Sequence, residues 1–141
     1  MVGDSLPEAI GTDLDGSFGQ APGTDSEGAA TLVSIAGDSF DATSPFAAES
    51  YDAAALILLA MQAAGSKNPA DYKGKVFDVA NAPGEQILPG ELAKGMEILA
   101  SGGEIDYVGA SNVELIGAGE SAGNYREITI KDAKISVDRY R

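Results

Sequence analysis

Hydrophobic positions along this chain fall into helix-spaced clusters first and short alternating runs towards the C-terminus. The densest cluster is Ser44 to Gly65, SPFAAESYDAAALILLAMQAAG. Ser44 is a good N-cap, because its hydroxyl can satisfy a free amide of the first turn, and Pro45 suits the first helical position because it has no amide to lose. Gly65 is placed to take the left-handed conformation that closes a helix. Between them Ala53 to Met61, AAALILLAM, is apolar all the way round, whereas a surface helix keeps a polar stripe. The pattern predicts a core helix buried over most of its length. A membrane span needs about 20 apolar residues, roughly twice this run.

The other elements are weaker. Met1 to Gly11 reads as a short helical turn entered through Asp4 and Ser5. Gly16 to Ala21 reads as a short strand carrying Phe18. Pro22-Gly23-Thr24-Asp25 then breaks the chain, and the loop-like SEGAA of Ser26 to Ala30 reads as a connector. Thr31 to Ile35, TLVSI, is too short to separate helix from strand. Gly37 to Thr43 is turn chemistry. Beyond the long helix, Asn68-Pro69 repeats the cap-plus-proline start, and Tyr72, Val76 and Val79 or Ala80 recur at helical spacing, which predicts a helix over Pro69 to Ala80 in spite of Gly74. Asn81 to Gly84 is a turn. Pro89 to Ala100 places Leu92, Met96 and Leu99 on one face of a third helix that Gly102-Gly103 closes. The chain then turns to strands at Ile105 to Val108, Asn112 to Ile116 and Tyr125 to Ile130, with Lys134 to Val137 pairing back through an Asp132-Ala133 turn.

Composition narrows the chemistry. At 141 residues and 44% hydrophobic, the chain is the size of one ordinary domain with enough apolar surface for a core. Nine basic against 22 acidic residues give a net charge of −13, which repels phosphate backbones and anionic lipids. Nucleic acid and membrane surfaces are therefore poor partners, and the acidity fits either a saline habitat or simple solubility. Cysteine and histidine are both absent, so disulfides, thiolate metal sites and histidine-based catalysis are excluded, and no metal or cofactor is expected. The amino terminus has no basic region followed by an apolar run, so no signal peptide is expected, and the chain reads as cytoplasmic or as part of a longer precursor.

Four strings look catalytic or ligand-binding and carry little weight. Gly3-Asp4-Ser5-Leu6 opens a known family of serine hydrolases, and Gly119-Glu120-Ser121-Ala122-Gly123 matches the G-x-S-x-G elbow, but a serine needs a base to take its proton and histidine is missing. Gly117 to Ala122 fits the loose dinucleotide fingerprint, which has force only where a helix follows. Asp13, Asp15 and Gly16 form a fragment of a calcium loop without the later bidentate ligand, so turn carboxylates are the better reading.

Taken together, several pieces resemble the leucine/isoleucine/valine-binding proteins that serve ABC transporters. They are GSFGQAPGT (Gly16 to Thr24), SPFAAESYDAAALILLAMQAAGS (Ser44 to Ser66), PGEQILPGELAKGMEILASGGEIDYVGAS (Pro83 to Ser111) and GNYREITIKDAKI (Gly123 to Ile135), in the family's order. The resemblance implies an α/β chain that is part of a two-lobed type I periplasmic-binding-protein fold, with three-layer α/β/α lobes left incomplete. By that analogy residues 1–22 belong to the second lobe, 23–110 to the first and 111–141 to the second again, with crossings near Pro22-Gly23 and Gly109 to Asn112. Most of the first lobe's sheet and the small polar residues that hold a ligand carboxylate are not in this chain. Glu114 to Ala122 departs from the family's acidic D-x-x-G-D turn.

The implied function is non-enzymatic capture of a branched-chain or similar small amino acid for an ABC permease, in the periplasm. A ligand-sensing receptor domain is the alternative, and a serine hydrolase a weaker one. The family's side-chain pocket is faced by an aromatic residue near the start of the long helix, and Phe46 matches it; otherwise Phe46 is an ordinary core aromatic. Phe18 and Asp25 border the cleft by position only, and Tyr51 is expected to be structural. With part of the sheet missing, unpaired strand edges make self-association a reasonable expectation.

Overall fold

A computed structural model describes residues 5–117 and 119–141. Gly3 and Asp4 of the first hydrolase-like string, and Ala118 of the dinucleotide-like one, lie outside the described residues. A short helix α1 (Ser5–Ile10) and one turn of 3-10 helix lead into strand β1 (Phe18–Pro22). Helix α2 (Glu27–Ala36) follows at once. The string SEGAA is thus the start of a helix and not a connector: the Ser26 hydroxyl accepts the Ala29 amide at 3.1 Å, and this capping bond decides what TLVSI alone left open.

The long helix α3 runs Ala47–Ala64. Its end at a left-handed Gly65 is as expected, but its start is not Ser44. The Asp41 carboxylate collects the Thr43 amide and the hydroxyls of Thr43 and Ser44, and these bonds hold it below the usual carboxylate range. That local turn uses the serine, Pro45 lies ahead of the helix, and Phe46 enters it in the left-handed region at φ 68°. Burial also departs from expectation. Asp52, Ala55, Leu56, Leu59 and Ala60 are buried, one stripe at spacings of three and four, while Ile57 and Leu58 on the opposite side are 42% and 44% exposed. The helix is apolar on both faces yet covered on one.

The segment expected as one helix from Pro69 to Ala80 is two, α4 (Pro69–Tyr72) and α5 (Lys75–Ala80), parted at Gly74. Next comes β2 (Glu85–Ile87), which no alternation signalled because it is only three residues long. Helix α6 (Leu92–Ala100) carries the chain to β3 (Ile105–Tyr107), parallel to β2. Helices α3, α5 and α6 pack around this pair, and Leu59, Ala60, Val79, Ala80, Ile87, Ile105 and Tyr107 form the core. Leu92, Met96 and Leu99 pack against it as their spacing predicts.

The C-terminal part is a separate antiparallel construction. Strand β4 (Leu115–Gly117) pairs with β5 (Glu120–Ser121), so the strand expected at Asn112 begins three residues later. Strands β6 (Tyr125–Lys131) and β7 (Lys134–Tyr140) form the expected hairpin, with Asp132 and Ala133 both at positive φ. Strand β1 returns from the start of the chain to lie beside β6, Phe18 opposite Thr129 and Pro22 opposite Tyr125, giving the order β1-β6-β7. Among the described residues no helix is long and apolar enough to cross a membrane.

Candidate functional site

The parallel pair with its helices and the three-stranded sheet are joined where the chain passes between them, at Pro22 to Ser26 and from Gly109 onward. These two passages are tied to each other. The Ser26 hydroxyl donates to the Ala110 carbonyl at 3.1 Å, the Asn124 amide side chain donates to the Ser111 carbonyl at 2.8 Å, and the Gly23 amide donates to the Asn124 carbonyl at 3.1 Å. Backbone groups that a loop would leave to solvent are here consumed by fixed partners.

Asp52 holds the second passage to α3. It is 1% exposed, and its carboxylate accepts four bonds: the Tyr107 hydroxyl and Ala110 amide reach Oδ1 at 2.8 Å each, and the Ser111 amide and hydroxyl reach Oδ2 at 2.6 Å each. Neutral donors do the work that water would do for the charge. Burial, and then the Asp52 charge, push the Tyr107 phenol far above its ordinary pKa, so it stays a donor. Nothing in composition signals this cluster. One cue was legible all the same: Asp52 is an acid at helical spacing from Ala55, Leu56 and Leu59, and it is the single acid among the buried residues of α3.

Beside the passages lie two adjoining depressions that share Pro22 and Phe46. One is a notch of about 170 Å³ with polar groups from Glu49, Ser111, Ser121 and Asn124. The other is an apolar groove of about 560 Å³ lined by Leu6, Leu14, Phe18, Ile128 and Ile130. The structure thus brings Phe18 and Phe46 into one groove, with Phe18 90% exposed and Phe46 47% exposed. Asp25 is elsewhere, in a cavity of about 360 Å³ with Thr24, Ser26 and Arg126 that adjoins the notch at Pro22 and Glu49 but does not include Phe46. Tyr51 donates to nothing in the notch; its hydroxyl accepts the Gly90 amide at 3.1 Å. A further cavity of about 510 Å³, around Phe77, Pro83 and Glu104, touches neither passage.

The catalytic-looking strings resolve into structure. Ser121 lies on β5 with its hydroxyl donating to the neighbouring Ala122 carbonyl, and β6 follows, where both the elbow and the dinucleotide fingerprint need a helix. Ser5 is exposed at the start of α1. Asp15 accepts the Asp132 and Ala133 amides at 3.0 Å each and so caps the β6–β7 turn. Among the described residues no group of three acidic side chains is placed to hold a metal ion.

This arrangement is a mixed α/β fold that is similar to part of the fold of a larger solved protein. The solved structure of the leucine-binding protein LivK from Thermotoga maritima superimposes with a TM-score of 0.67 over 97% of this chain and 34% of its own, at 15% identity. In sequence, the chain is similar to the chemotactic signal transduction system substrate-binding protein BasB of Halobacterium salinarum, 35% identical over 94 residues. That match covers 66% of this chain and 23% of the relative, so the chain spans well under half of either protein it resembles. No family model matches.

Proposed function

We propose that this chain forms the cleft region of a substrate-binding protein that captures a branched-chain or similarly small apolar amino acid between two lobes, residues 23–110 in the first and residues 1–22 and 111–141 in the second. The observation that carries the reading is Phe46, shared by an apolar groove and a polar notch beside the two passages. Such a junction suits a ligand with an apolar side chain and a polar head: the aromatic ring receives the one, and Glu49, Ser111 and Asn124 face the other. Closure of the lobes would be favoured by whatever affinity the closed state has over the open one. The protein acts outside the cytoplasm, by likeness of fold, and does not catalyse a reaction.

Delivery to an ABC permease is the partner this reading implies. A second reading is signalling, in which the loaded protein docks on a chemotactic transducer; the relative named for a chemotactic signal transduction system favours it. Calorimetry with leucine, isoleucine and valine on the full-length parent tests the first step, and no heat with any of the three sinks the amino-acid assignment. The 141-residue chain alone binds them more weakly than micromolar, because the few polar groups of one open notch fix a ligand's orientation less well than a site enclosed between two lobes. Co-purification of the loaded parent with a permease or with a transducer separates the two partners.

A further inference from the structure

Resting on the two-lobe reading above, we propose that Asp52 is the positioning residue of the cleft: it fixes the second passage to α3 at Ala110-Ser111, so that bending between the lobes begins at Asn112. Three of the four donors on its carboxylate belong to the passage itself, the Ala110 amide and the Ser111 amide and hydroxyl. The fourth, Tyr107, ends β3 and joins the anchor to the core.

The passage has no slack on either side. A Cβ on Gly109, at φ 62°, would stand 2.4 Å from Asp52 Oδ1, and a Cβ on Gly28 would stand 1.9 Å from the Gly109 carbonyl oxygen. The chain is pressed between α2 and the carboxylate. From there the constraint reaches the notch, because Ser111 and Asn124 both line it and are bonded to each other. Past Ser111 the backbone turns through Asn112 at φ 56° and then runs into the short, irregular β4–β5 pair.

A buried carboxylate without a cation is a costly way to hold a loop. Among the described residues Asp52 has no ion-pair partner, and packing alone would serve stability as well. What four donors on one small acceptor supply is a fixed geometry, the requirement of a pivot whose two sides must return to the same place at each closure.

The chain has no cysteine, so spin labels can be placed at Gln62→Cys on α3 and Ser136→Cys on β7 in the whole 141-residue protein. Both positions are exposed. Asp52→Asn keeps Oδ1 for Tyr107 and Ala110 but turns a donor amide towards Ser111, which also donates. We expect the label-to-label distance distribution to broaden about twofold in Asp52→Asn, and by a smaller factor in Ser111→Ala, which removes only the hydroxyl donor and serves if the first variant does not fold. Leu59→Ala, a loss of packing in the same helix, should lower the melting temperature and leave the width unchanged. Unchanged widths in the folded Asp52 and Ser111 variants, or equal broadening in Leu59→Ala, would overturn the proposal. No ligand enters the measurement, so failure to bind leucine would sink the functional reading and leave this result to stand by itself.

Discussion

Gly28 in α2 lies against the carbonyl of Gly109, so close that a Cβ on Gly28 would fall 1.9 Å from that oxygen. Helix and passage meet backbone to backbone with no side chain between them. Gly109 has a second constraint at φ 62°, where any L side chain is strained. Gly28→Ala and Gly109→Ala should each lower the unfolding free energy by about 1–3 kcal/mol, from forced displacement of packed backbone. Urea titration should show a lower midpoint with an unchanged slope in both.

Stability should fall on the alkaline side because of Tyr107. Its pKa is raised in the folded protein above the unfolded value of 10.0, by burial first and the Asp52 charge second, so folding favours the protonated phenol. That contribution is complete below the unfolded pKa and is lost as pH rises beyond it. The loss approaches about 1.4 kcal/mol per pH unit for one differentially held proton. Tyr107→Phe should remove this slope while lowering stability at neutral pH by about 1 kcal/mol through the missing bond. Denaturant midpoints between neutral pH and pH values above about 10 check both.

Phe46 combines a proposed ligand contact with a left-handed backbone at φ 68°. Alanine and glycine both delete the ring, but only glycine relieves the backbone. Phe46→Gly should therefore be more stable than Phe46→Ala by about 1 kcal/mol. If the proposed contact holds, the two should lose leucine affinity equally in the full-length parent, since both delete the ring. Thermal melts and calorimetry on the pair separate strain from binding.

The open side of α3 should govern association. Ile57 and Leu58 are about half exposed on the stretch of α3 that is apolar all round, and among the described residues the parallel sheet beneath it has two strands. Ile57→Lys with Leu58→Glu should leave the melting temperature within about 0.5 kcal/mol equivalent of the parent, the usual range for surface changes. The same pair should shift any concentration-dependent mass towards the monomer in sedimentation or light scattering. An unchanged mass profile would place the contact elsewhere.

How much of this was legible follows from the range of each interaction. The Gly65 stop, the α6 stripe of Leu92, Met96 and Leu99, and the Asp132-Ala133 hairpin are set by neighbours within a few residues, and they are found where the pattern puts them. The Ser44 start failed because a competing local turn at Asp41 uses the same hydroxyl, and two good local solutions cannot be ranked by propensity. Strand β2 failed because three residues carry no period. The resemblance to leucine-binding proteins was readable from the order of its pieces and holds as a likeness of fold.

Of the candidate site, Phe46 and Phe18 were nameable from the chain, and the structure brings them into one groove, whereas Asp25 falls in a neighbouring cavity. The sequence by itself determined the α/β class, the absence of histidine and cysteine chemistry, and a helix rich enough in apolar residues to be buried on every side. Only the tertiary structure decided which side was buried, and why an acid sits on it. Asp52 meets Tyr107, Ala110 and Ser111 across 55 to 59 residues of chain, so its partners depend on how α3, β3 and the passage are placed in space. A buried charge is satisfied by geometry at long range, and no local pattern records it.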